Sequence, residues 1–158
     1  MKGSHIFVSA MLLLASVQAS EAANEQTDMI TKQSMHPVTE TVQRFEAALV
    51  RRGWKVFAEI DHAKAAIEFG QTLAARLVIL FGNPKAGTAL MQRVPTSAID
   101  FPLRALVWQD EQGKVWLTYN TGGFLADQVF PRHGLKMPPE GRKERDEFLA
   151  EVSDEAIR

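Results

Sequence analysis

The chain of 158 residues carries 18 Lys and Arg against 19 Asp and Glu, a formal net charge of -1, and no cysteine. That balance leaves no basic stripe to neutralise a run of phosphates and excludes a nucleic-acid partner. Without cysteine there is neither disulfide scaffolding nor thiol chemistry, so the 46% of residues that are hydrophobic must build a core that holds by itself.

At the N-terminus, Lys2 precedes an apolar run over residues 6–17, and small residues follow at Ala19, Ala22 and Ala23. This is the layout of a secretory signal. A run of about a dozen apolar residues is too short to cross a bilayer. Residues 1–23 therefore read as a cleaved signal peptide, the mature form as free of a membrane span, and the location as periplasmic or secreted. The remainder, about 135 residues, suits one domain with its own core.

Residues 29–35 have short β-type patterning that ends at His36-Pro37, which predicts a first, edge strand. Thr39 then offers an N-cap for a helix in which Val42, Phe45 and Leu49 share a face, Arg51 and Arg52 occupy the last turn, and Gly53 is the stop. Over residues 54–60 the alternation of Trp54, Val56, Ala58 and Ile60 predicts a strand with one strongly buried face. Asp61 can cap a short helix through Glu68, and Gly70 ends it. Residues 77–81 are apolar throughout, as expected of a strand in the middle of a covered sheet.

Gly82 and Asn83 make the exit from that strand, and Pro84 suits the first position of a helix that runs to about Arg93. Residues 101–109 and 114–119 read as a hairpin, with Gly113 in the left-handed position of its turn. Residues 123–129 suggest a short helix that leads into Pro131-Arg132-His133-Gly134. Pro138-Pro139 opens a charged segment whose Phe148, Leu149 and Val152 form a narrow apolar stripe, either a helix docked on the domain or a second subunit, or a partly disordered tail.

Four stretches carry a resemblance: residues 60–62 (Ile-Asp-His), residues 81–91 beginning Phe-Gly-Asn-Pro-Lys, residues 102–108 (Pro-Leu-Arg-Ala-Leu-Val-Trp), and residues 132–134 (Arg-His-Gly). In this order they resemble the domain of unknown function 302 family over roughly residues 30–135. The resemblance implies a compact α+β domain, often dimeric, with no established activity. This chain departs from the family pattern at residues 71–76, where a proline is missing before the apolar strand, so any pocket formed there with His62 is expected to be altered.

The stretch from Gly82 to Thr88 invites a phosphate-loop reading, but the lysine that must separate the second glycine from the hydroxyl is missing, and Pro84 removes an amide. A simpler anion site survives, in which the amides at the helix start join Asn83, Lys85 and Thr88 to hold a carboxylate or other small anion. His36, His62 and His133 are the histidines beyond the signal. If His62 and His133 met, with Met91 or Met137, they would suit a soft metal such as copper, or an acid-base pair with Asp61. Leu106 and Trp108 share one strand face while Leu103 and Val107 occupy the other, so the sheet is apolar on both sides and a second subunit would cover it.

The sequence thus predicts an exported two-layer α+β domain over residues 27–137, with helices packed on a mostly antiparallel sheet, followed by a charged helix or tail over residues 138–158. The expected role is a homodimeric, non-enzymatic binding or interaction module without a cofactor. Its small anionic or organic ligand would be held by Asn83, Lys85, Thr88, His62 and His133. A metal-binding protein or an enzyme that uses His62 and His133 is the alternative, and it requires those two side chains to converge.

Overall fold

Strands β1 (Met29–Ser34), β2 (Lys55–Asp61), β3 (Arg76–Gly82), β4 (Leu103–Gln109) and β5 (Val115–Asn120) form one antiparallel sheet in the order β1-β5-β4-β3-β2. The computed structural model describes residues 28–158, so the expected signal segment lies outside the described residues. Side chains alternate across the sheet. One face presents Ile79, Phe81, Ala105, Val107, Val115, Leu117 and Tyr119, all buried. Helices α1 (Val38–Arg51) and α6 (Pro139–Ile157) cover that face with Phe45, Ala48 and Leu49 from the first and Leu149, Val152 and Ala156 from the second. This is the two-layer α+β architecture expected from the pattern.

The β4–β5 hairpin forms as expected, with Gly113 at φ 78° and Asp110 accepting from the amides of Gln112 and Lys114. Helix α1 begins two residues earlier than its sequence signal. Val38 opens it after Pro37 and no side chain caps it, while Thr41 inside the first turn donates to the Pro37 carbonyl at 3.0 Å. The expected N-cap Thr39 therefore lies within the helix.

Strand β2 departs further from its pattern. The register shifts between Val56 and Ala58, so Val56 pairs with Phe81 on the helix-covered face, whereas Ala58 and Ile60 pair with Leu80 and Val78 on the opposite one. Phe57 is the extra residue of a bulge. A single inserted residue inverts every following side chain, and the one buried face predicted from Trp54 to Ile60 is split in two.

Helix α6 belongs to the same core as α1. Arg44 donates to the carbonyls of Glu155 and Ala156 at 3.1 and 3.2 Å, a cation on the negative end of the helix. Arg51 and Arg52 bond Glu155, and Lys32 on β1 donates to Asp154 at 2.6 Å and to Ser153 at 2.8 Å. That Lys32 hydrogen bond, more than the charges of Lys32 and Arg158, holds the Asp154 carboxyl below its ordinary range against the opposing effect of burial.

Candidate functional site

The site begins where β3 ends. Gly82 closes the strand, and Asn83 turns the chain into α3 (Pro84–Arg93), its Oδ1 accepting from the Ala86 amide at 3.2 Å with Pro84 at the helix start. Both features follow the sequence reading. The bulged Phe57 packs against this strand end, where a Cβ placed on Gly82 would stand 3.4 Å from its ring.

Between α3, the ends of β3 and β4, and α6 lies a cavity of about 480 Å³. Its wall is mostly carbon: Trp54, Phe57, Leu90, Met91, Phe101, Leu103, Phe130 and Met137 line it. The polar side chains on the wall are those of Asn83, Thr88, Arg93 and Arg145.

Arg145 is the feature that the sequence reading missed. Its guanidinium lies over the Trp54 ring, 4.6 Å from the centroid, and Trp54 stacks on Phe148 at 4.3 Å. Burial lowers the Arg145 pKa from its ordinary value, and the nearby charges of Glu144 and Asp146 only oppose that effect. Among the described residues no carboxylate pairs with it, and its Nε is buried without a hydrogen-bond partner. A signal for it existed: Arg145, Leu149, Val152 and Ala156 recur at helical spacing, so the buried stripe of α6 extended backwards arrives at Arg145. The dense charge around it reads instead as a solvated face.

The placement of α6 is set locally by Gly122 and Gly123, which form the start of α4 (Gly122–Phe124). The Gly122 amide donates to Asp146 Oδ1 at 2.6 Å, and a Cβ there would lie 2.6 Å from the Arg142 carbonyl oxygen. Only a glycine permits that approach, which brings the Arg145 turn of α6 to the cavity wall.

Of the residues singled out from sequence, Asn83 and Thr88 line the cavity together. Lys85 is exposed in the first turn of α3 and is not part of the lining. His62 opens α2 (His62–Glu68) and lines a shallow groove with Phe69, Leu73, Val78 and Leu106 on the face of the sheet away from α1. Asp61 caps that helix by accepting from the Lys64 amide at 2.9 Å.

His133 sits elsewhere, at the exit of α5 (Phe130–Arg132), with Nε2 2.7 Å from Asp100 and Nδ1 3.1 Å from the Thr96 hydroxyl. Arg132 bonds the same carboxylate at 2.8 Å. A hydroxyl, an imidazole and a carboxylate in sequence have the order of an acid-base relay. Neither Thr96 nor His133 lines the apolar cavity, however, and the network joins the short turn Pro95–Ile99 to the end of α5. No contact joins His62 to His133, and among the described residues no group of three or more His, Asp or Glu side chains is placed to hold a metal ion. Met91 and Met137 line the apolar cavity instead.

The sequence pattern of the family "Domain of unknown function DUF302" matches residues 30–154. Proteins named "Fluoride-specific ion channel FluC 1" from Brucella suis biovar 1 and Brucella abortus biovar 1 are each 44% identical to this chain over 107 residues, 68% of its length. The chain spans only about two fifths of those relatives, 41% and 38% respectively. Among the described residues of this chain, no helix is long and apolar enough to cross a membrane. The crystal structure of an uncharacterized conserved DUF302 protein from Bacillus stearothermophilus has the same fold, with a TM-score of 0.68 over 84% of this chain and 99% of that one, at 16% identity. A family pattern that runs from β1 into α6, on a fold shared across the sheet and its helices, makes this chain a member of the DUF302 family.

Proposed function

We propose that this chain is a non-enzymatic binding module that takes a small organic ligand into the cavity between α3 and α6. The observation that carries the reading is the cavity itself, about 480 Å³ with a carbon-rich wall and a few converging polar groups. Ligand sites for small molecules have this size and composition. The signal-like leader favours the periplasm or the exterior as its place of work. The face of the sheet opposite α1 supports the expected homodimer, since Val78, Leu80, Leu106, Trp108 and Trp116 remain half-exposed there. Light scattering on the purified protein would then give twice the chain mass.

The neutral fluorescent probe N-phenyl-1-naphthylamine tests the cavity. Saturable binding by the wild type is expected. Gly87 lines the cavity and has open space around a Cβ, so Gly87→Leu should fill it, improve the helix, and weaken probe binding by about tenfold or more. A wild type that shows no saturable binding, or a Gly87→Leu protein that binds as well, would remove this reading.

A second reading is favoured by the composite Brucella relatives, in which a segment like this one accompanies other sequence in chains named as fluoride channels. In it, the chain serves as an accessory domain to an ion channel. The cavity is far larger and more apolar than a bare halide requires, so the chain would act beside the channel and not as the ion site. Deleting its gene should then slow fluoride efflux measured with an ion-selective electrode, and unchanged efflux would exclude the role.

A further inference from the structure

We infer that the ligand is a monocarboxylate with an apolar tail, and that Arg145 is its charge partner. The inference rests on the cavity reading above and adds the chemistry of the headgroup. The other arginines of α1 and α6 show what this one lacks. Arg44 and Arg52 donate to protein carbonyls, Arg51, Arg52 and Arg158 to carboxylates, and Arg142 pairs with Asp127.

Arg145 is shielded from water yet has no such acceptor, and its Nε is buried unpaired. A guanidinium stays charged in this setting, and a cation largely out of water with no carboxylate paired to it is costly, so an anion arriving at its terminal nitrogens would relieve the cost. Trp54 holds the guanidinium by its face at 4.6 Å. Stacking of that kind leaves the edge donors available, and those donors match a planar carboxylate with two parallel hydrogen bonds.

The rest of the wall decides what is attached to the carboxylate. Apart from Arg145 itself, Asn83, Thr88 and the exposed Arg93, the wall is carbon, and Leu90, Met91, Phe101 and Leu103 offer no hydrogen bonds from their side chains, so the body of the ligand is mostly hydrocarbon or aromatic. A phosphate or a sugar acid would leave several polar groups facing carbon, which disfavours both. Lys85, the cation nearest the sequence-predicted anion site, stays outside the lining and serves as the internal comparison.

The test uses two ligands that differ in the headgroup, decanoate and 1-decanol, each displacing N-phenyl-1-naphthylamine from the purified protein. Wild type should prefer decanoate by about tenfold or more, the usual worth of a charge-assisted hydrogen bond in a shielded site. Arg145→Met should abolish that preference, with decanoate weakened about tenfold more than decanol. Lys85→Ala should change neither. Equal binding of the two ligands by wild type overturns the inference without any variant, as does loss of decanoate binding in Lys85→Ala but not in Arg145→Met. Failure of the neutral probe to bind wild type would instead remove the cavity reading on which this one rests.

Discussion

Removing residues 139–158 is expected to abolish the cooperative unfolding transition of the domain. The truncation takes away α6, whose Leu149 is 1% exposed and whose Val152 and Ala156 are fully buried, and uncovers the α1 and sheet residues that they touch. Burying a large apolar side chain is worth about 1.5 to 3 kcal/mol, and the net stability of a domain is only about 5 to 15 kcal/mol. Losing Leu149, Val152 and the Phe148–Trp54 stack together with the cover over α1 therefore consumes most of that margin. Urea titration followed by far-ultraviolet circular dichroism provides the check. A truncated chain that still unfolds in one sharp transition would show that the sheet and α1 close a core without the last helix.

The second large effect is expected at Ile79, which is fully buried on β3 between β2 and β4. Ile79→Ala should cost about 2 to 5 kcal/mol, part from lost transfer energy and part from the cavity left behind. Its register partner on β4 is Ala105, and Glu59 lies opposite on β2. Neither neighbour supplies apolar bulk that would collapse into the space, which places the cost in the upper part of that range. A loss below about 1 kcal/mol in the same urea measurement would mean that β3 is peripheral to the core.

Local chemistry explains which parts of the fold were legible beforehand. The entry to α3 rests on three adjacent residues, Gly82, Asn83 and Pro84, and each acts within its own turn: Asn83 caps the helix through the Ala86 amide, and Pro84 occupies a position that has no amide partner to lose. The hairpin is equally local, because Asp110 and Gly113 set its turn by themselves. The bulge at Phe57 is different. Nothing in the alternation from Trp54 to Ile60 marks where a residue will be skipped, since that depends on how β2 is paired with β3.

The candidate site divides in the same way. Asn83 and Thr88 were visible as parts of a helix start, and both line the cavity. Arg145 was not, since a charged residue in a charged segment looks solvated until α6 is laid against Trp54. The histidines are the reverse case. His62 and His133 are chemically versatile, but α2 places the first on the open side of the sheet, while Asp100 and Thr96 hold the second beside the turn before β4.

The family, the two-layer α+β class, the order of strands and helices along the chain and the sharp start of α3 are all legible in the residues alone. Those follow from residue periodicity and from caps and turns that act over a few neighbours. That α6 completes the core, that a bulge splits the faces of β2, and that an arginine with no carboxylate paired to it lines an apolar cavity emerge when the chain is packed. Each of these depends on contacts between residues far apart in the chain, where burial and pairing are properties of two surfaces and are written in neither one alone.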